Sequence, residues 1–252
     1  MAIVKTAAKP AQWGEAAPSE PMYRLVWRSY GAEKTGKNYL GLTGPGPVAI
    51  QCFDILGVQN TVEEFVRAGK EVRIKKYKFK RNDASQEQAK EIMAEFREDY
   101  ESALKQGFRT IQLDESELWE VCRFGWFGQG SERPSSYDPL NAWYREMIHL
   151  ADDYPVNVQF IQKVKEKWLN YVAPDGKEKG KPSGKMAPYG MKEIQYMVDT
   201  NIEHSWNKEE GFVIDIVNCR ANMALAGERL TNTNFPELAT MIFGEDSAEL
   251  WS

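Results

Sequence analysis

The sequence predicts an α/β fold, a mostly parallel sheet with helices on both faces and antiparallel strands at the C-terminal edge. Three observations carry that prediction. Residues 48 to 53 form a near-continuous apolar run of strand length, the pattern of a strand buried on both faces of a parallel sheet. Apolar runs of this kind alternate along the chain with helical patterns, as they do where parallel strands are joined by crossover helices. The first run, residues 23 to 27, leads through a glycine-rich turn into a short helical pattern.

Residues 1 to 20 are rich in Ala, Pro, Lys and Glu without periodicity and read as a flexible tail, leaving 21 to 252 as a single domain. After the first strand comes Gly31-Ala32-Glu33-Lys34-Thr35-Gly36-Lys37-Asn38, then Tyr39. Gly, four residues, Gly-Lys between a strand and a helix is the spacing of a phosphate-binding loop. Its backbone N–H groups curl round a phosphate while the lysine reaches the outer oxygens. Asn38 stands where such a loop has Ser or Thr, so a Mg²⁺ ligand is altered from a hydroxyl to an amide oxygen. The plainer alternative is a glycine-rich turn and nothing more.

The helix is stopped by Gly44-Pro45-Gly46-Pro47, and the strand at 48 to 53 ends in Asp54. Thr61 caps a short helical pattern that Gly69 closes. Residues 70 to 81 hold seven basic residues against one acid, with Val72/Ile74 and Tyr77/Phe79 in short alternating runs. This basic strand reads in two ways. Lys75, Lys76 and Lys78 could meet phosphates while Tyr77 and Phe79 stack on bases; or the lysines blunt an edge strand.

Ala89, Ile92, Met93, Phe96, Tyr100, Ala103 and Leu104 recur at three and four, predicting a helix from Ser85 to Gln106. The strand at 108 to 114 then delivers Asp114 at its end, where it would steer Mg²⁺ as a Walker B acid, and Glu115 follows as a group able to polarise an attacking water. A simple helix N-cap at Asp114 or Ser116 is the alternative. A helix is expected from Leu140 to Ala151, then a strand from Val156 ending in Gln162, which would sense a terminal phosphate or merely close a core strand.

Residues 163 to 192 carry eight lysines against three acids, a net of +5 in a chain whose total is −5. Lys163, Lys165, Lys177, Lys179, Lys181 and Lys185 would bind the phosphates of a nucleic acid strand, with Tyr189 stacking; a solvated loop joining two strands is the alternative. Residues 196 to 206 and 211 to 217 alternate as two antiparallel strands, and Asn234 with Pro236 opens a closing helix.

Composition narrows the class further. A pI near 5.4 argues against coating nucleic acid with the whole surface and leaves local patches. Cys52, Cys122 and Cys219 are widely spaced and odd in number, which reads as buried thiols in a reducing cytoplasm. No apolar run of membrane-spanning length and no secretory leader pattern are found, so neither a membrane span nor secretion is expected.

In order, these pieces resemble the small phage-encoded, RecA-like P-loop proteins described as nucleotide-binding or single-strand annealing recombination proteins. The resemblance covers residues 22 to 245. It is sharpest at Tyr30 to Lys37, Gly44 to Ile50, Ile111-Gln112-Leu113-Asp114 with Glu117-Leu118-Trp119, and Leu230 to Gly244. It implies a RecA-like P-loop NTPase core binding ATP or ADP at Gly31 to Tyr39, with Lys37 on the phosphates and Mg²⁺ near Asn38, Asp54 and Asp114. It also implies a single-stranded DNA partner, with a homo-oligomeric ring or filament as a compatible assembly. Asn38, Glu33-Lys34 and Glu115 depart from the family pattern, which bears on hydrolysis more than on binding. Two function classes stay open: an ATPase of modest rate acting on single-stranded DNA, and a P-loop protein without turnover that serves as a nucleotide-gated binding module.

Overall fold

A computed structural model describes residues 23–53, 56–128, 137–172, 174 and 178–251. The expected tail at 1 to 20, Asp54, Lys177 and most of the loop between 125 and 139 lie outside the described residues. The elements run β1 (Val26–Gly31), α1 (Lys37–Leu42), β2 (Val48–Cys52), α2 (Leu56–Arg67), β3 (Val72–Lys76), α3 (Gln86–Lys105), β4 (Thr110–Asp114), α4 (Glu115–Phe127) and α5 (Asp138–His149). They continue with β5 (Asn157–Val172), β6 (Glu178–Tyr189), β7 (Thr200–Asn207), β8 (Gly211–Cys219), β9 (Arg229–Thr231) and α6 (Phe235–Phe243).

The strands form one mixed sheet in the order β3-β2-β4-β5-β1-β7-β8-β9, with β6 paired to β5 alone. Pairing is parallel from β3 through β7 and antiparallel at β7/β8, β8/β9 and β5/β6. The late strands thus close one edge, as expected. Strand parity then sorts the helices. Ala49, Ile111, Leu113, Val158 and Phe160 pack with α3, α4 and α5, whereas Trp27, Val48, Ile50 and Ile202 face α1, α2 and α6. Cys52, Cys122 and Cys219 are buried. Among the described residues no helix is long and apolar enough to cross a membrane.

Local chemistry explains most boundaries. Ser85 caps α3 by accepting from the Gln88 N–H, and Asn234 with Glu237 makes a reciprocal capping box at α6. Several boundaries differ from expectation; β7 starts at Thr200 rather than at 196, because Lys192–Tyr196 forms a 3-10 helix. β1 extends to Gly31 because Arg28 and Ser29 are buried within it; their polarity hid the strand. α2 starts at Leu56, ahead of Thr61, and Val58 and Val62 pack against Val48, Ile50 and Cys52. The basic segment 163 to 192 takes the hairpin form, not that of a solvated loop. β5 runs through the core and out of it for 16 residues, and β6 returns antiparallel beside it, making a two-stranded arm.

β3 is an edge strand, and its aromatics turn inward. Tyr77 is buried against Phe53 and Phe96 and hydrogen-bonds to Gln51 and Asp99, while Phe79 packs on Phe124. Tyr77 is therefore closed to a base and Phe79 is half-buried, which corrects that expectation; the apolar demand of the α3 and α4 interfaces outweighs any surface role. Lys75 is paired with Glu95 and Asp99 on α3, and Lys76 and Lys78 are exposed.

A polar row lies where α1 crosses the sheet. Gln112 Nε2 donates to the Asn38 carbonyl at 2.9 Å, and Gln159 Nε2 donates to the Lys37 carbonyl at 2.9 Å and Ser29 Oγ at 2.8 Å. The helix sits so low that a Cβ on Gly41 would come within 2.1 Å of Gln112 Nε2 and 2.2 Å of Gln159 Oε1. Gly41→Ala is therefore expected to destabilise. The helix-propensity gain of about 1 kcal/mol is outweighed by overpacking of about 1–3 kcal/mol and by displaced buried hydrogen bonds. Urea denaturation checks this, and a variant more stable than wild type would contradict the close approach.

Candidate functional site

The turn after β1 is built by backbone constraints that the sequence meets residue by residue. Gly31 lies against β7, where a Cβ would fall 2.2 Å from the His204 carbonyl oxygen. Gly36 has φ +85°, a left-handed conformation that favours glycine, and the Phe212 ring covers it. Lys34 is also left-handed, at φ +59°. Ala32, Glu33 and Lys34 are exposed, Thr35 is buried with its hydroxyl donating to the Ala32 carbonyl, and α1 begins at Lys37. Left-handed residues at 34 and 36 are of the kind that, alternating with right-handed ones, forms anion-binding concavities.

Lys37 folds back into this turn. Its Nζ donates to the Gly31 carbonyl at 2.9 Å and to the Ala32 carbonyl, with Thr35 Oγ1 at 3.4 Å. Burial lowers its ammonium to about 8; Glu33 and Asp114 oppose the fall and Lys163 adds to it. Below the turn His204 is buried, its Nε2 3.0 Å from Ser29 Oγ, and burial with the nearby Lys37 pushes it down to about 3. It stays neutral and acts as scaffold. No motif spacing marks it in the sequence.

Asp114 ends β4, one strand removed from β1, with β5 between them. It occupies the N-cap position of α4, and its carboxylate is held in part by the backbone N–H groups of Glu117, in the first turn of that helix, and of Phe53, so the capping reading stands beside the functional one. Burial raises its carboxyl to about 6, Glu117 adds to the rise and Lys163 opposes it. Lys163 bonds Glu117 through Nζ. It thus belongs to the group around the turn rather than to the solvent face of the arm. Among the described residues no cluster of three or more His, Cys, Asp or Glu could hold a metal. A Mg²⁺ carried on phosphates needs only one or two protein ligands; of the expected ligands, Asp114 ends β4 and Asn38 is half-buried at the start of α1.

Two expected residues turn away. Glu115 is wholly buried on the α4 face of the sheet, opposite α1, where its Oε1 accepts from the Met191 N–H at 2.7 Å and Gly190 presses on Oε2. Gln162 follows the same parity, its Nε2 3.5 Å from the Met191 carbonyl. Neither polarises a water nor reads a phosphate at the turn from there. The reason is geometric: α4 begins directly after Asp114, and one helical step of about 100° carries Glu115 past the sheet edge.

Beside the turn lies a cavity of about 230 Å³ lined by Thr35, Gly36, Tyr39, Phe212, Asn232 and Thr233, among others. Tyr39 is exposed at 42% and leans on Phe65, while Phe212 is exposed at 42% across the opening. The arm presents a different surface. Trp168, Leu169, Tyr171 and Met186 are exposed, Lys181 stands over the Tyr171 ring, and Lys185 is exposed. Lys165 caps the Tyr189 ring at 3.3 Å, and Arg123 donates to the Tyr189 hydroxyl, so Tyr189 is engaged rather than free to stack. Lys179 lies in β6 with its backbone paired to Tyr171. Trp168 and Tyr171 were signalled in the sequence only by their place between lysines.

Burial raises the Glu115 carboxyl from its ordinary 4.5 to about 8, so the folded chain holds that proton across the interval while the unfolded chain does not. Stability attributable to this group is therefore present below 4.5 and lost as pH rises towards 8. Glu115→Gln is expected to match wild type at the acid end of that window and to exceed it increasingly towards the alkaline end. Urea titrations of both proteins across the window check this, and a constant difference would mean that Glu115 does not titrate there. No protein-family model matches this sequence, and no curated protein matches it, so the geometry above is what bears on its function.

Proposed function

We propose that the chain binds ATP or ADP with Mg²⁺ at Gly31 to Tyr39 on a RecA-like P-loop core, and that its β5–β6 arm binds single-stranded DNA. The role would be that of a phage-type protein supporting recombination, annealing or replication. The observation that carries the nucleotide reading is the turn itself. A lysine doubled back on the turn's own carbonyls, within electrostatic reach of a strand-end aspartate, forms an anion cradle with its cation already in position. The topology favours the same edge. β1 leads to α1 on one face of the sheet and β4 leads to α4 on the other, and ligands of open α/β sheets enter where such connections part at the strands' carboxyl ends. The cavity between Tyr39 and Phe212 offers aromatic surface beside the phosphate site, which suits a nucleotide better than a bare phosphate.

Binding is better supported than turnover. Asn38 lacks the hydroxyl ligand, and Glu115 sits across the sheet from where an attacking water would stand. These two features favour the second reading, a nucleotide-gated module of little or no ATPase activity. The DNA reading rests on the arm, where Trp168 and Tyr171 are exposed between the lysines that precede and follow them, on a chain that is otherwise acidic.

Lys37→Ala is expected to weaken ATP·Mg²⁺ binding by tenfold or more, roughly the worth of a charge-assisted hydrogen bond. Calorimetric titration reads it, and unchanged affinity would refute the cradle. For the arm, neutralising Lys177, Lys179, Lys181 and Lys185 together is expected to flatten the salt dependence of single-stranded DNA binding by about 0.7 in log–log slope per lost phosphate contact. Trp168→Ala is expected to weaken binding by roughly 1–3 kcal/mol with the slope unchanged. Fluorescence anisotropy across a salt series separates the two effects; equal slopes and equal affinities throughout would remove the arm from DNA binding.

A further inference from the structure

Lys163 stands at the junction of the core and the arm. Its neighbour Gln162 pairs with Tyr30 on β1, whereas Lys163 itself pairs with Tyr189 on β6. Its backbone N–H donates to Ser116 Oγ at 2.8 Å, and the same hydroxyl donates to the Tyr189 carbonyl, so the first turn of α4 ties both arm strands at this point. Alternation along β5 gives Lys163 the face of Gln159, whose side chain reaches under α1 to the Lys37 carbonyl. The charged groups around its ammonium are Glu117, with which it is paired, then Asp114, Glu33 and Lys37. Its side chain is 40% exposed, so it is free to change partner.

The sheet order fixes which way a nucleotide would lie. The aromatic cavity draws its walls from β7 and β8, the turn follows β1, Lys163 belongs to β5 and Asp114 to β4. A nucleotide with its base in the cavity and its phosphates in the turn therefore points its outermost phosphate across the sheet towards β5. Lys37, enclosed by the carbonyls of the turn, reaches the outer oxygens from the β1 side, and the rim cation is left for the far face of the last phosphate.

We propose that Lys163 exchanges Glu117 for the terminal phosphate of a bound nucleoside triphosphate, and so sets the preference for triphosphate over diphosphate. The proposal rests on the nucleotide reading of the turn. A diphosphate ends short of the rim and leaves the Lys163–Glu117 pair intact. Glu117 acts as a placeholder that keeps the ammonium at the rim and neutralised until a group of higher charge arrives.

The test is calorimetric titration of the full chain with ADP and with the non-hydrolysable triphosphate AMP-PNP, each with Mg²⁺. Lys163→Met is expected to lose roughly tenfold in AMP-PNP affinity while ADP affinity stays at its wild-type value. Lys163→Arg is expected to keep the wild-type preference. Glu117→Gln is expected to raise the preference for AMP-PNP, and to do so only where Lys163 is present, since the double variant removes the exchange but not the general field. Equal loss for both nucleotides in Lys163→Met, or no loss for either, overturns the proposal and leaves nucleotide binding standing. Failure of the wild-type chain to bind either nucleotide removes the nucleotide reading and this one with it.

Discussion

Under α1 the sheet offers the helix amide groups between the apolar contacts of Leu40 and Leu42, and the candidate site depends on that polar contact. Gln159 holds the Lys37 carbonyl and Ser29 Oγ with one nitrogen, Gln112 holds the Asn38 carbonyl, and His204 meets Ser29 from the far side. Leaving a buried donor unpaired costs about 1–3 kcal/mol, so each bond excludes alternative depths and rotations of the helix. Apolar packing would tolerate sliding by fractions of a residue; hydrogen bonds to two consecutive carbonyls do not. Gly41 belongs to the same device, because the amides can reach the backbone only where a side chain is missing. The turn that precedes α1 inherits its position from this fit.

At the other side of β5, the first turn of α4 distributes successive residues among separate tasks. Asp114 stays at the strand end among charges, Ser116 ties the two arm strands, Glu117 pairs with Lys163, and Glu115 is sealed beneath Met191. Because no linker separates β4 from α4, a displacement of Asp114 is felt by the base of the arm within three residues. The arm root and Asp114, whose charge reaches Lys37, thus share a short segment of chain rather than communicating over distance.

Much of the architecture could be read from periodicity. The three-and-four spacing in α3, the apolar run of β2 and the capping pair Asn234 and Glu237 each announce their element, because burial on one face leaves a regular mark. Where polar residues are buried the mark fails. Arg28, Ser29, Gln112 and Gln159 are strand residues in the core, and their polarity concealed the full length of β1 and the amide row. For the site, the glycine spacing and Asp114 were legible since both are local patterns. The orientations of Glu115 and Gln162 were not, since which face a residue takes at a strand end depends on the register of the following helix. Tyr77 and Phe79 show the converse error: aromatics among lysines resemble a stacking surface, yet α3 and α4 supplied apolar partners that the local sequence does not reveal.

β5 is at once the strand between β1 and β4 and one rail of the arm, with no break in its hydrogen-bonded course at residue 163. An arm attached by a loop would swing; one that is the prolongation of a central strand is a cantilever. Its direction is set by the twist of the sheet, and bending it would require the core pairing at Ile161 and Gln162 to yield. The one irregularity in its ladder, the register shift between Glu166 and Trp168, lies beyond the root. Any flexing is therefore expected at the outer half, where the exposed aromatics lie, while the inner half moves with the sheet as a single body.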